Sequence, residues 1–196
     1  MSDNRKKIVA IASSTGGPRA LQSVIPKLPK NLKVPVLIVQ HMPKGFTASL
    51  AARLDDLSPI TVREANHGDI LLPGNVYLCQ GGVHMNVKVK YGNHAIEYTD
   101  EPPREGVKPC ANYMYESLVK SKYEEIVCVV LTGMGADGTQ GIKALSKGKR
   151  IMVIAQNKAT STVYGMPRCV VDAGLANKEM PIEQIAQEII TNVGVH

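Results

Sequence analysis

The sequence contains no tryptophan and one phenylalanine, and aromatic residues make up only 4% of its 196 residues. The hydrophobic core must therefore consist mainly of aliphatic side chains, which the 44% hydrophobic fraction supplies in ordinary amount. The scarcity of aromatic rings also removes the stacking platform that holds single-stranded nucleic acid. Because lysine and arginine are scattered along the chain, we expect no nucleic-acid partner despite a formal net charge of +6. We interpret this charge as a solvated surface, with binding of an acidic protein as the alternative.

The sequence also lacks any C-x-x-C pair, which argues against a structural zinc site. Its four cysteines are widely spaced, at Cys79, Cys110, Cys128 and Cys169. We therefore expect reduced thiols and a cytoplasmic location.

No hydrophobic stretch approaches the ~20 residues that a membrane-spanning helix needs. The apolar run after the basic segment MSDNRKK is too short for a signal peptide. We expect a soluble, intracellular protein without membrane insertion. Its length suits one large α/β domain, or two small ones at most.

Five short apolar runs are typical of parallel strands that are buried on both faces. They cover residues 8–12, 34–39, 76–78, 126–131 and 151–155. Amphipathic helical patterns lie between several of them, which predicts a doubly wound α/β fold: a mostly parallel, Rossmann-like sheet with helices on both faces. The segment MNVKVKYGNHAIEYT instead alternates around Gly92-Asn93, which predicts an antiparallel hairpin. We expect this hairpin to be added to the sheet.

Candidate catalytic side chains follow three of the predicted strands. Ser14, His41 and Asp137 each come shortly after an apolar run. In open α/β sheets the site lies beyond the carboxyl ends of the strands, so these three groups are expected to meet there. A serine, a histidine and an aspartate are the nucleophile, base and orienting group of a hydrolytic triad.

The stretch IASSTGGP offers two serines as nucleophile. A nucleophile elbow needs small residues two positions before and two after the serine. Ala12 and Gly16 satisfy this rule around Ser14, whereas the corresponding neighbours of Ser13 are β-branched. We therefore predict Ser14 as the nucleophile. The alternative is that Ser14 or Thr15 only caps the following helix.

Two further alternatives remain open from the residues alone. Gly133, Gly135 and Gly138 match G-x-G-x-x-G, the pattern of a dinucleotide-binding turn, although Gln156 stands where the next strand should end in an acidic residue. Cys110 precedes a helical pattern and is a rival nucleophile, with a buried structural residue as the other interpretation.

Four segments occur in a fixed order: IASSTGGP, VQHMPKGFT, VLTGMGADGTQGI and ATSTVYGMP. Together they closely resemble the catalytic domain of the CheB family of chemotaxis response-regulator methylesterases. The resemblance runs from about Ile8 to the final helix. It implies a doubly wound, mostly parallel sheet with a hairpin, and a Ser-His-Asp triad that works without metal or cofactor.

The resemblance implies hydrolysis of glutamyl methyl esters on the cytoplasmic helices of methyl-accepting chemoreceptors, and deamidation of certain receptor glutamines. Ser14 corresponds to the nucleophile, His41 to the general base, Asp137 to its orienting group and the Met134 N–H to an oxyanion donor. The Thr15 N–H is a second oxyanion candidate by the geometry of an elbow.

The sequence departs from the family pattern at several positions near the expected site. Ser13 replaces the usual alanine beside the nucleophile, and Cys110, Asn112 and Asn157 replace a serine and two aspartates. We expect these changes to bear on receptor preference rather than on reaction type. We also expect residues 1–196 to form one methylesterase catalytic domain without the receiver domain that the family normally carries; a receiver domain becomes a partner if this chain is an excised piece.

Overall fold

The computed structural model describes residues 6–195, which contain six α-helices and nine β-strands. The strands are β1 (Lys7–Ser13), β2 (Val36–Gln40), β3 (Thr61–Glu64), β4 (Asn75–Leu78), β5 (His84–Lys90), β6 (Asn93–Thr99), β7 (Glu125–Val130), β8 (Arg150–Gln156) and β9 (Lys178–Met180). The helices are α1 (Gly17–Val24), α2 (Phe46–Leu57), α3 (Ala111–Leu118), α4 (Thr139–Ser146), α5 (Met166–Asp172) and α6 (Ile182–Val193), and a 3₁₀ turn, Ile25–Lys27, follows α1.

Seven strands form one sheet in the order β3-β4-β2-β1-β7-β8-β9, and every neighbouring pair is parallel. The five apolar runs correspond to β1, β2, β4, β7 and β8, which confirms the predicted sheet. The edge strands β3 and β9 escaped prediction because their side chains are largely exposed, so no apolar run marks them.

Helices cover both faces of the sheet, as predicted. Alternate side chains of β1 point to opposite faces, so Val9 and Ile11 pack with α1, α2 and α6, while Ile8 and Ala10 pack with α3, α4 and α5. Each strand must bury two apolar faces, which explains why the central strands are apolar throughout.

The hairpin forms as predicted, with Asn93 opposite Lys90 at its turn, but its expected place in the main sheet is wrong. β5 and β6 form a separate two-stranded sheet. One face of the hairpin, including Met85, Val87 and Ile96, packs into the same core layer as α3. Its backbone is also tied to that helix, since the Val87 N–H donates to Ser117 Oγ at 2.8 Å. The hairpin is thus held by the packing of its apolar face against α3, and not by hydrogen bonds to an edge strand of the main sheet.

The strand order reverses at β1, which lies between β2 and β7. The loops that follow these three strands therefore meet at the carboxyl edge of the sheet, at the position where open α/β sheets form their sites. None of the helices in residues 6–195 has both the length and the apolar character needed to cross a bilayer.

Candidate active site

The turn after β1 separates its two serines. Ser13 is fully buried, and its hydroxyl donates to Gln40 Oε1 at 2.6 Å. Ser14 is only partly buried and begins the turn, where its N–H donates to Thr132 O at 3.0 Å. Gly16 takes a left-handed conformation, with φ of 79°, and is itself the N-cap of α1. Neither Ser14 nor Thr15 is that N-cap, so the interpretation of these residues as helix caps is wrong.

The side chain of Gln40 joins the ends of β1 and β2. Its Nε2 donates to the carbonyl oxygens of Ser14 and His41, each at 3.0 Å, and its Oε1 accepts the Ser13 hydroxyl. Ser13 and Gln40 are register partners in the sheet. The pairing continues one step past the strand ends, because the His41 N–H donates to Ser13 O at 3.0 Å. Together with the shared Gln40 donor, this bond brings the backbones of Ser14 and His41 together at the edge of the sheet.

His41 is hydrogen-bonded to Asp137 in the loop between β7 and α4. The distance from His41 Nε2 to Asp137 Oδ2 is 2.6 Å, and both side chains are at least nine-tenths buried. An ionised carboxylate can only accept hydrogen bonds, so the Nε2 of a neutral His41 carries its proton. Nδ1 is then left unprotonated, which is the state that a general base requires.

Four donors surround the Asp137 carboxylate. Oδ2 accepts from His41 and from the Ala111 N–H at 2.6 Å, while Oδ1 accepts from the Asn112 N–H at 2.9 Å and from Cys110 Sγ at 3.0 Å. Burial raises the pKa of Asp137, but the hydrogen bonds from His41, Cys110 and Ala111 outweigh burial and hold the pKa below its usual value. The carboxylate is therefore ionised at neutral pH.

Cys110 is placed as a donor rather than as a nucleophile. Its side chain is fully buried, and burial together with the charge of Asp137 raises the pKa of the thiol to about 12. Since the thiolate is the reactive form, the rival interpretation of Cys110 as the nucleophile is disfavoured. The other interpretation, a buried structural residue, fits its position.

At the start of α4, beside the G-x-G-x-x-G segment, backbone N–H groups already have a side-chain acceptor. Asn112 Oδ1 accepts the N–H groups of Gly138 and Gly141 at 3.0 and 2.8 Å. In a dinucleotide-binding turn these groups at the start of the helix face the ligand. This occupation disfavours the nucleotide alternative and ties the Asp137 loop to α3.

The loop that follows β7 packs closely against the turn that holds Ser14. Gly133 packs so closely against the turn that a Cβ atom on it would lie 2.7 Å from Ser14 Cβ. Its own N–H donates to Val163 O, and its carbonyl accepts from Gly165, which fixes the neighbouring Met134. Within residues 6–195, no acceptor takes up the N–H of Met134 or that of Thr15. Both remain available to an oxyanion.

Several contributions were missed by sequence reasoning. Gln40 is 2% exposed at a strand end, and a polar residue beside a candidate histidine was the only signal for it. The donors at the start of α3 precede Asp137 by 25–27 residues, and no local pattern marks them. Within the described part of the chain, no group of three or more His, Cys, Asp or Glu residues could hold a metal ion.

A family model described as CheB methylesterase matches residues 9–189. A Geobacillus kaustophilus protein named protein-glutamate methylesterase/protein-glutamine glutaminase is 44% identical over 190 residues, covering 97% of this chain and 54% of that protein. A Bacillus licheniformis protein of the same name is 48% identical over 186 residues, covering 95% and 52%. The chain thus spans about half the length of these curated relatives.

A solved structure is also similar over nearly its whole length. The crystal structure of the Thermotoga maritima CheB methylesterase catalytic domain matches with a TM-score of 0.93 and 40% sequence identity. The match covers 96% of this chain and 99% of that one. The sheet order and the helix layers described above therefore agree with an experimentally determined fold.

Proposed function

The chain belongs to the CheB methylesterase family, as its four motifs predicted, and from this premise we propose that it is a protein-glutamate methylesterase. Its substrates are glutamyl methyl esters on the cytoplasmic helices of chemoreceptors, which places the reaction in the cytoplasm. The observation that carries the proposal is the partly buried Ser14, next in register to a His41 that is hydrogen-bonded to an ionised Asp137.

The first half of the reaction is acyl transfer to Ser14. His41 Nδ1 accepts the hydroxyl proton while Ser14 Oγ attacks the ester carbonyl carbon. The resulting oxyanion accepts hydrogen bonds from the N–H groups of Met134 and Thr15. His41 then gives its proton to the departing methoxy oxygen, so that methanol leaves and a glutamyl ester of Ser14 remains.

Water completes the cycle by the same route. His41 removes a proton from water, the hydroxide oxygen attacks the acyl carbon, and the proton returns to Ser14 Oγ as the receptor glutamate is released. Asp137 accepts the Nε2–H throughout and stabilises the imidazolium that forms in both halves.

Deamidation of receptor glutamine is the second proposed activity, because the named relatives are also called protein-glutamine glutaminases. The same acyl-enzyme forms from an amide, with ammonia leaving in place of methanol. The proton that His41 delivers is then essential to departure, since an amide anion is a far poorer leaving group than methoxide.

We further propose that residues 1–196 act as one catalytic domain, with the basic surface attracting acidic receptor helices. A receiver domain joins the partners if the chain is an excised piece.

Release of methanol from receptor-containing membranes tests the proposal. Receptors carrying radiolabelled methyl groups are mixed with the wild-type chain, and volatile label is counted over time. We expect release by the wild type and none by Ser14→Ala, while receptors methylated and then stripped by mild base provide the blank. An inactive wild type on both receptor esters and small activated esters would contradict the proposed function.

A further inference from the structure

We propose that Cys110 is a positioning residue for the reaction: its thiol donates a hydrogen bond to Asp137 that helps keep this carboxylate turned toward His41. The inference rests on the proposed function, in which His41 is the base and Asp137 its orienting group. The Cys110 thiol reacts in no step of the proposed mechanism, so its role here is one of positioning.

Cys110 contacts Asp137 through its thiol, because its backbone N–H is bonded to another residue. The Cys110 N–H donates to Nδ1 of the buried His84 at 3.1 Å, and His84 Nε2 lies 3.1 Å from the carbonyl oxygen of Glu101. His84 therefore acts as acceptor for the N-cap residue of α3 and fixes its backbone. The thiol, at 3.0 Å from Asp137 Oδ1, is the remaining donor of Cys110.

The four donors divide evenly between the two oxygens of Asp137. Oδ2 serves His41 and Ala111, and Oδ1 serves Asn112 and Cys110. Loss of the thiol leaves Oδ1 with one donor. The carboxylate can then rotate more freely about χ2, a torsion that is broad for aspartate. It also removes one stabilising contact from the negative charge, and the pKa of Asp137 must rise.

A hydroxyl can replace the thiol in this role, because serine is a similarly small residue with one O–H donor. Alanine cannot, although it leaves the same backbone in place. The pair Cys110→Ser and Cys110→Ala therefore separates donation from packing. Cys128→Ala is the matched control, since Cys128 is also a fully buried thiol but lies in the core layer of β7.

The experiment measures two quantities in these variants and the wild type. The first is the pH at which the carboxyl carbon of Asp137 titrates by NMR, followed down to the lowest pH at which each protein stays folded. The second is kcat and KM for hydrolysis of a small activated ester. The first measurement needs no catalytic activity, so it decides the structural claim even if the proposed function fails.

For Cys110→Ala we expect Asp137 to titrate roughly half a pH unit higher and kcat to fall about fivefold with KM little changed. Cys110→Ser should recover most of both values, and Cys128→Ala should lower the melting temperature only. The inference is overturned if Cys110→Ala matches the wild type in either measurement, or if Cys110→Ser is as impaired as Cys110→Ala. A wild type without esterase activity refutes the proposed function instead.

Discussion

Replacing Asp137 with asparagine removes one charge and one acceptor from a site where all four neighbours are donors. The wild-type carboxylate accepts from His41, Ala111, Asn112 and Cys110. An asparagine amide has one oxygen, and its NH₂ group must face two of these donors in either orientation. The asparagine side chain therefore cannot accept hydrogen bonds from all four donors, as the wild-type carboxylate does.

Each orientation has a different cost. With the oxygen toward His41, the base keeps its tautomer but loses the charge that stabilises the imidazolium, and the Asn112 N–H loses its acceptor. With the NH₂ toward His41, Nε2 must accept and the proton moves to Nδ1, which cannot then take the proton of Ser14. We expect kcat to fall between about tenfold and the ~10⁴-fold seen for the same change in a chymotrypsin-type triad.

The fold should survive the substitution. One unpaired backbone N–H costs about 1–3 kcal/mol of stability. For a domain of this size, each kcal/mol lowers the melting temperature by about 2–4 °C. Ester hydrolysis and thermal unfolding of Asp137→Asn are measured beside Asp172→Asn, whose carboxylate is exposed and paired with the exposed Arg168. Near-normal turnover in a folded Asp137→Asn would refute the assignment of Asp137 as the orienting group.

Four other outcomes are expected. Ser14→Ala should abolish ester hydrolysis. Ser13→Ala, which loses the hydroxyl contact to Gln40, should retain most of it, and the reverse result would refute the choice of nucleophile. Gln40→Met should lower kcat at least about tenfold in a folded protein, because the carbonyl oxygens of Ser14 and His41 lose their shared donor. Unchanged kinetics would show that these hydrogen bonds are dispensable. Burial, and after it the charges of three neighbouring lysines, lowers the pKa of His94, whose Nε2 accepts the Lys122 N–H. As the pH falls, His94 therefore takes up a proton in the unfolded chain at a higher pH than in the folded protein. The free energy of unfolding should decrease as the pH drops below about 6.5. Denaturant unfolding at several pH values measures this decrease in stability, and the pH dependence should be weaker in His94→Gln. Receptor demethylation should weaken with salt while small-ester hydrolysis should not, and equal salt dependence would argue against steering by the basic surface.

The parts of the fold that were predictable share one physical feature, which is burial on both faces. Strands such as β1 and β7 must be apolar at every position, so they stand out in the sequence. β9 pairs only with β8 at the edge and is mostly exposed, and nothing in Lys178–Met180 marks a strand. The hairpin was recognisable from its alternation, but its partner was not, because alternation reports one buried face without saying what covers it.

The candidate site was predictable to the extent that its groups follow strands. Ser14 was separable from Ser13 by the size of the flanking residues, and the inward-facing Ser13 agrees with that choice. The support around the site was not predictable. Gln40 reaches back across 26 residues to Ser14, and the donors to Asp137 come from the start of α3, so these contacts depend on tertiary packing. The catalytic roles of Ser14, His41 and Asp137 stay a prediction that chemical experiments test.

Covalent labelling tests the central claim most directly, that Ser14 is a nucleophile activated by His41. A fluorophosphonate reacts with an activated serine hydroxyl, and tryptic cleavage after Lys7 and Arg19 isolates the stretch that contains both serines. Tandem mass spectrometry then assigns the modified residue. We expect one adduct, on Ser14, that forms in the wild type and is lost in His41→Ala. An adduct on Ser13 or Cys110, or equal labelling without His41, would contradict the account.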